Sequence, residues 1–149
     1  IPYIVGLAKA LDLAYQDLAS EAARIKALRN RLIQGVLTSI PSVQLTGHPE
    51  HRLPNSASFV FPAVEGESIL LHLDLAGVAA SSGSACASSE EGPSHVLTAM
   101  GLDVALARGS LRLTLGRKTS AQDVDYVLAV LPGIVERLQV MSPLAVQAH

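Results

Sequence analysis

A single cysteine, Cys86, stands in the run SSGSACASS, residues 81–89. A thiol acts as a nucleophile only when it is reachable and can ionise to the thiolate. A lone cysteine is commonly a small buried hydrophobe, but the neighbours of Cys86 are serine, glycine and alanine rather than an apolar stripe. That setting favours a reactive thiol. A second candidate is Arg112, within Ser110–Leu115, where Leu111, Leu113 and Leu115 alternate with Arg112 and Thr114. Two readings of Arg112 stand. The commoner is a solvated arginine on the polar side of a strand; the functional one is a planar guanidinium on a rigid support that clamps a carboxylate through two parallel hydrogen bonds. Arg117, after Gly116, carries the same two readings with weaker support.

Other reactive types are less organised. His48 and His51 could be grouped with Cys86 as metal ligands, but the paired cysteines that make zinc signatures specific are missing, so no metal site is expected. His95 could be a base for Cys86 in a cysteine hydrolase. Behind Pro93 and Ser94 it is more simply a first-turn helix residue, and no third member is evident. Gly83 stands alone, without the glycine pattern of a phosphate-binding loop.

The elements that must position these residues follow from periodicity. From Ile4 to Leu37 apolar residues recur every three or four positions, predicting one long, kinked amphipathic helix over residues 1–39 that stops before Pro41. Val43–Thr46 and Ala57–Phe61 read as strands around a polar loop, and an apolar helix spans Ser68–Leu75, closed by Gly77. Val78–Ala80 reads as a short edge strand. Residues 81–92 lack periodicity and are expected to form a mobile loop, with Pro93 opening a helix to Met100. Ser110–Leu115 is a half-buried strand, and Ser120 starts a last helix to Met141 that Pro132-Gly133 should kink or split. Helices on one face of a small mixed sheet make an α/β fold, an α+β two-layer sandwich over residues 43–141.

Composition removes several function classes. The chain has 149 residues, a length that fits one domain, and a formal net charge of −2. It offers no basic field, so nucleic-acid partners are not expected. The most apolar stretch, Ile69–Ala80, is interrupted by His72 and Asp74 and falls far short of the ~20 residues of a membrane span. One cysteine makes no internal disulfide, which fits a cytoplasmic, reducing setting. A mean hydropathy of +0.36 with 16% charged residues, and a start at Ile1 inside a helical pattern, predict a piece of something larger with a partner surface missing.

At SSGSACASS the sequence resembles the active-site loop of cysteine desulfurases of the group that serves iron–sulfur cluster assembly. The likeness continues through Gly92–Pro143, with a proline-led helix, the serine-led strand SLRLTLGR and a closing helix, and upstream through RLPNSASFVFPAVEGESILLHLDLAGVAASSGSAC. Ala87 stands where the family often has threonine, and Glu90-Glu91-Gly92 replaces a leucine–glutamate pair. The resemblance implies the small carboxy-terminal domain of a fold-type I transferase that depends on pyridoxal 5'-phosphate (PLP). It further implies L-cysteine as substrate, Cys86 as the residue that receives its sulfur as a persulfide, and Arg112 as the holder of the substrate carboxylate. An amino-terminal PLP-binding portion, a homodimer, and a sulfur-acceptor or iron–sulfur scaffold protein are the implied partners. The family's PLP-bearing lysine follows a histidine, whereas none of Lys9, Lys26 and Lys118 does. This stretch alone is therefore expected to bind no PLP and to be inactive. The rival readings are a non-catalytic sulfur-relay or interaction domain, and a PLP lyase or selenocysteine lyase-type relative.

Overall fold

The computed structural model describes residues 1–82 and 94–142. The stretch read as one long helix is two, α1 (Pro2–Gln16) and α2 (Leu18–Ser39), which meet at Asp17. Aspartate is a weak helix former, and Asp17 leaves the helical region with ψ near 1° while its carbonyl accepts from the Glu21 N–H and the Ser20 hydroxyl. Nothing of α1 is buried, so no packing holds the two axes in line. By contrast α2 turns Ile25, Leu32, Ile33 and Val36 into the core.

After α2 come β1 (Gln44–Leu45), β2 (Ser56–Val60), α3 (Gly66–Leu75), α4 (His95–Ala99), α5 (Val104–Arg108), β3 (Ser110–Thr114) and α6 (Ala121–Met141). The three strands form one sheet in the order β1-β2-β3, antiparallel throughout rather than mixed. Alternation along β2 and β3 sends Ala57, Phe59, Leu111 and Leu113 to one face, where they pack with α2, Ile69 and Leu73 of α3, and Val124, Leu131, Ile134 and Val135 of α6. Phe59 is fully buried, and shielding a side chain of that size contributes about 1.5–3 kcal/mol. Val60 points the opposite way and packs against Leu97 of α4 and Ala107 of α5. The chain is an α/β domain with three helices on one face of a small sheet and a short helical pair at one end of the other.

Two further differences have plain causes. Residues 78–80 form no strand; the chain meets the sheet only at Ser81, through a single antiparallel bridge to Arg112. Helix α6 runs through Pro132 without a break. Proline removes one helical hydrogen bond, but Leu131, Ile134 and Val135 on either side are buried, and that packing outweighs the loss.

A buried cation fixes the entry to β2. Arg29 of α2 is 1% exposed and has no carboxylate partner among the described residues. Its guanidinium instead donates to the Asn30 side-chain oxygen from Nε (3.1 Å) and Nη2 (2.8 Å), and to the Leu53 carbonyl from Nη1 (2.8 Å). These bonds offset the cost of burying its charge and tie Leu53 to the helix. Nearby, Arg52 donates to the Thr46 carbonyl, and burial together with the neighbouring Arg29 charge pushes its pKa down.

At the far end of β2 the main chain comes close to Gly109, whose carbonyl accepts from the Phe61 N–H at 2.9 Å. A Cβ on Gly109 would collide with the Phe61 carbonyl oxygen, whereas one on Gly116 would meet nothing. Gly109→Ala should therefore destabilise the domain by about 1–3 kcal/mol, the usual cost of overpacking. Gly116→Ala should stay within about 0.5 kcal/mol of the parent. Urea denaturation of both variants checks this, and equal midpoints would contradict the close approach at Gly109.

Candidate functional site

The site is built on β3. Leu115 donates its N–H to the Asn55 carbonyl (2.9 Å) in continuation of the β2–β3 register. Every second residue back along β3, Leu113 and Leu111, therefore aims its main chain at β2. Arg112 between them aims its main chain outward, where its N–H donates to the Ser81 carbonyl (2.7 Å) and its carbonyl accepts from the Ser81 N–H (3.1 Å). Its side chain stands on the face opposite the core and is exposed. There Arg112 pairs across the sheet with Ser58, and its Nη2 donates to the Ser81 hydroxyl at 3.4 Å.

The two ion pairs among the described residues are Arg24–Glu21 and Arg31–Asp125. No carboxylate of the described residues thus engages the Arg112 fork, which sits among the serine hydroxyls of an open polar sheet face. Such a group can take a carboxylate from solution with two parallel donors. The sequence singled out Arg112 but left Ser81 within a featureless loop and Ser58 unmentioned. The alternation of Ser56 and Ser58 with Ala57 and Phe59 was the available signal.

Ser81 is itself held from behind. Helix α3 ends in a turn in which Gly77 has φ +76°, its N–H donates to the Asp74 carbonyl (2.8 Å), and Val78 donates to Leu73 (2.8 Å). The Tyr126 hydroxyl of α6 donates to the carbonyl of Ala76 in that turn (2.9 Å). Beyond it, residues 77–79 diverge from β3 and leave a cavity of about 340 Å³, bordered by Leu32, Val78, Leu115, Lys118 and Tyr126.

Cys86 and residues 83–92 of the expected mobile loop lie outside the described residues, whereas Ser81 at its start is bridged to Arg112. His95 is the exposed first residue of α4. The rings of His48 and His51 lie 4.5 Å apart, but His48 Nδ1 accepts the Glu50 and His51 N–H groups and so serves a turn. No cluster of three metal-ligating side chains occurs among the described residues. Arg117 lies in the turn after β3, where its carbonyl accepts from Arg24. As for a PLP-type cofactor, Lys9, Lys26 and Lys118 are exposed on α1, on α2 and in the turn after β3. None of the three is buried in a site among the described residues.

The chain as a whole is similar to known proteins. The chain matches the family Aminotransferase class-V over residues 1–127, and it belongs to that family. Within it, the chain is 51% identical over 144 residues to cysteine desulfurase IscS 1 of Archaeoglobus fulgidus, 97% of this chain and 37% of that protein. It is 49% identical over 143 residues to cysteine desulfurase IscS of Clostridium botulinum, 95% of this chain and 36% of that protein. The chain therefore spans a little over a third of the curated relatives it matches. Among solved structures, a NifS-like protein superposes with a TM-score of 0.77 at 30% identity, covering 91% of this chain and 33% of its own. A NifS-like protein from Rickettsia africae gives 0.71 at 26%, covering 83% and 31%.

The first turn of α6 carries a titrating group. Ser120 caps α6, its hydroxyl accepting from the Asp123 N–H (3.2 Å), while the Asp123 carboxylate accepts from the Ser120 N–H (2.8 Å) and hydroxyl (2.9 Å). The Ser120 N–H, and then its hydroxyl, hold the Asp123 carboxyl below the usual aspartate range. A depressed folded value means that the cap's contribution is complete above the unfolded pKa and fades as pH falls through the folded one. NMR titration should show Asp123 and the Ser120 amide moving together, with a midpoint below about 3.9. A midpoint at or above that value would contradict the cap.

Proposed function

We propose that this chain is the carboxy-terminal portion of a PLP-dependent cysteine desulfurase, in which Arg112 holds the α-carboxylate of L-cysteine and Cys86 accepts its sulfur. The single observation that carries the reading is the exposed Arg112 fork, without a carboxylate partner among the described residues, on a strand bridged to the segment that leads into residues 83–93, in a chain about half identical to cysteine desulfurases along nearly all its length. PLP, held mainly by the portion of the enzyme outside this chain, supplies the electron sink at the substrate's carbon skeleton. Arg112 fixes the carboxylate end, so the substrate's sulfur is presented in one direction. The Cys86 thiolate attacks that sulfur; a sulfur–sulfur bond forms, the carbon–sulfur bond breaks, and its electron pair stays with carbon, which is protonated and leaves as alanine. Cys86 keeps the persulfide and passes it to an acceptor or scaffold protein for iron–sulfur cluster synthesis. The complete enzyme works as a homodimer in the cytoplasm.

In the complete enzyme, Cys86→Ser should abolish persulfide formation, seen as loss of a 32-dalton adduct by mass spectrometry, while cysteine still perturbs the cofactor's absorption band. Sulfur release at the parent rate by this variant would overturn the role of Cys86. Arg112→Lys should raise KM for cysteine on the order of tenfold, because an ammonium cannot make the two-pronged contact. An unchanged KM would return Arg112 to the role of a solvated surface residue.

A further inference from the structure

We infer that Tyr126 is a positioning residue for this site: from α6 it fixes the turn that carries Ser81 to Arg112. The inference rests on the reading of Arg112 as the carboxylate clamp. The segment between α3 and Ser82 rests Val78 and Ala80 on the core, but few hydrogen bonds join it to the rest of the fold. Its forward end is the lone Ser81–Arg112 bridge. In the same antiparallel register Ala79 would face Thr114, yet no hydrogen bond joins them, and both border the cavity. The ladder therefore cannot extend the hold on Ser81 backwards.

The rear end is the turn at Ala76–Val78. Its own hydrogen bonds run back into α3, so they fix its shape but not its place relative to α6 or β3. The Tyr126 hydroxyl, 50 residues away in sequence, makes the bond that ties this turn to α6, at 2.9 Å to the Ala76 carbonyl. The ring of Tyr126 is about half exposed, so removing the hydroxyl takes away a tether and little packing. Four residues lie between Ala76 and Ser81, and freedom at the first is passed to the second as a looser bridge. A looser Ser81 in turn leaves the Arg112 guanidinium without its hydroxyl partner.

The test is Tyr126→Phe, measured in two ways. In the 149-residue chain, hydrogen exchange at the Ser81 and Arg112 amides, which make the bridge, should accelerate about three- to tenfold, the weight of one ordinary hydrogen bond. Exchange at Leu111 and Leu113, whose main chains face β2, should be unchanged. In the complete enzyme KM for cysteine should rise by a similar factor with kcat within about twofold, since the loss is one of substrate binding. Ser81→Ala should also raise KM, and adding Tyr126→Phe to it should have little further effect, because both act through one contact. Unchanged exchange at Ser81 and Arg112, or KM effects that simply multiply, would overturn the positioning role. Exchange that accelerates as expected in a chain whose complete parent enzyme does not desulfurate cysteine would instead overturn the functional reading and leave the tether established.

Discussion

The parity of β3 decides almost everything about the site. In an antiparallel strand, the side-chain face and the direction of the main-chain hydrogen bonds alternate with the same period of two. Once Leu111, Leu113 and Leu115 are given to the core, they also give their main chains to β2. Arg112 is left with its side chain on the open face and its N–H and carbonyl on the outer edge. Its guanidinium and its bridge to Ser81 are consequences of one choice of register. A slip of one residue would bury the guanidinium and place leucines on the polar face, so the hydrophobic core that stabilises the domain also enforces the aim of the site.

That register is defended from outside the sheet. The Arg29 fork clasps the Leu53 carbonyl just before β2, and the close approach at Gly109 pins the other end of the strand pair. Arg24 acts on the exit of β3, donating to the Arg117 and Thr119 carbonyls at 2.9 and 2.7 Å while held by Glu21. Two arginines of α2 thus brace the strand pair through carbonyl groups rather than through carboxylates. Carbonyls are fixed by the chain itself, so these bonds locate main chain and not merely side chains.

Much of this was readable from residue types. The leucine alternation around Arg112 named the strand and its faces, and the α3 helix and its glycine stop were plain. What sequence alone obscured depended on contacts distant in the chain. The break at Asp17 follows from the absence of packing on α1, and the continuity at Pro132 from packing on both sides of α6; neither is a local property. Helix α5 was missed because five residues are too few to show a period, although Asp103 before it, whose carboxylate caps the Ala105 N–H, and Gly109 after it were usable punctuation. Ser81 was lost among serines because its role comes from Arg112, 31 residues away, and Tyr126 looked like one more residue of an amphipathic helix.

The divergence of residues 77–79 from β3 has a consequence for the protein's colloidal behaviour. Thr114 turns its N–H and carbonyl to an edge that no strand of the described residues covers, and an uncovered edge is a template on which another chain can add a strand. The residues around that edge are Arg112, Arg117 and Lys118, three exposed cations within seven positions. Two copies brought edge to edge would bring these charges together, so electrostatic repulsion guards the strand against amyloid-like stacking. The Arg112 guanidinium is thereby one of the charges that keep neighbouring molecules apart, and its protection weakens as salt screens it.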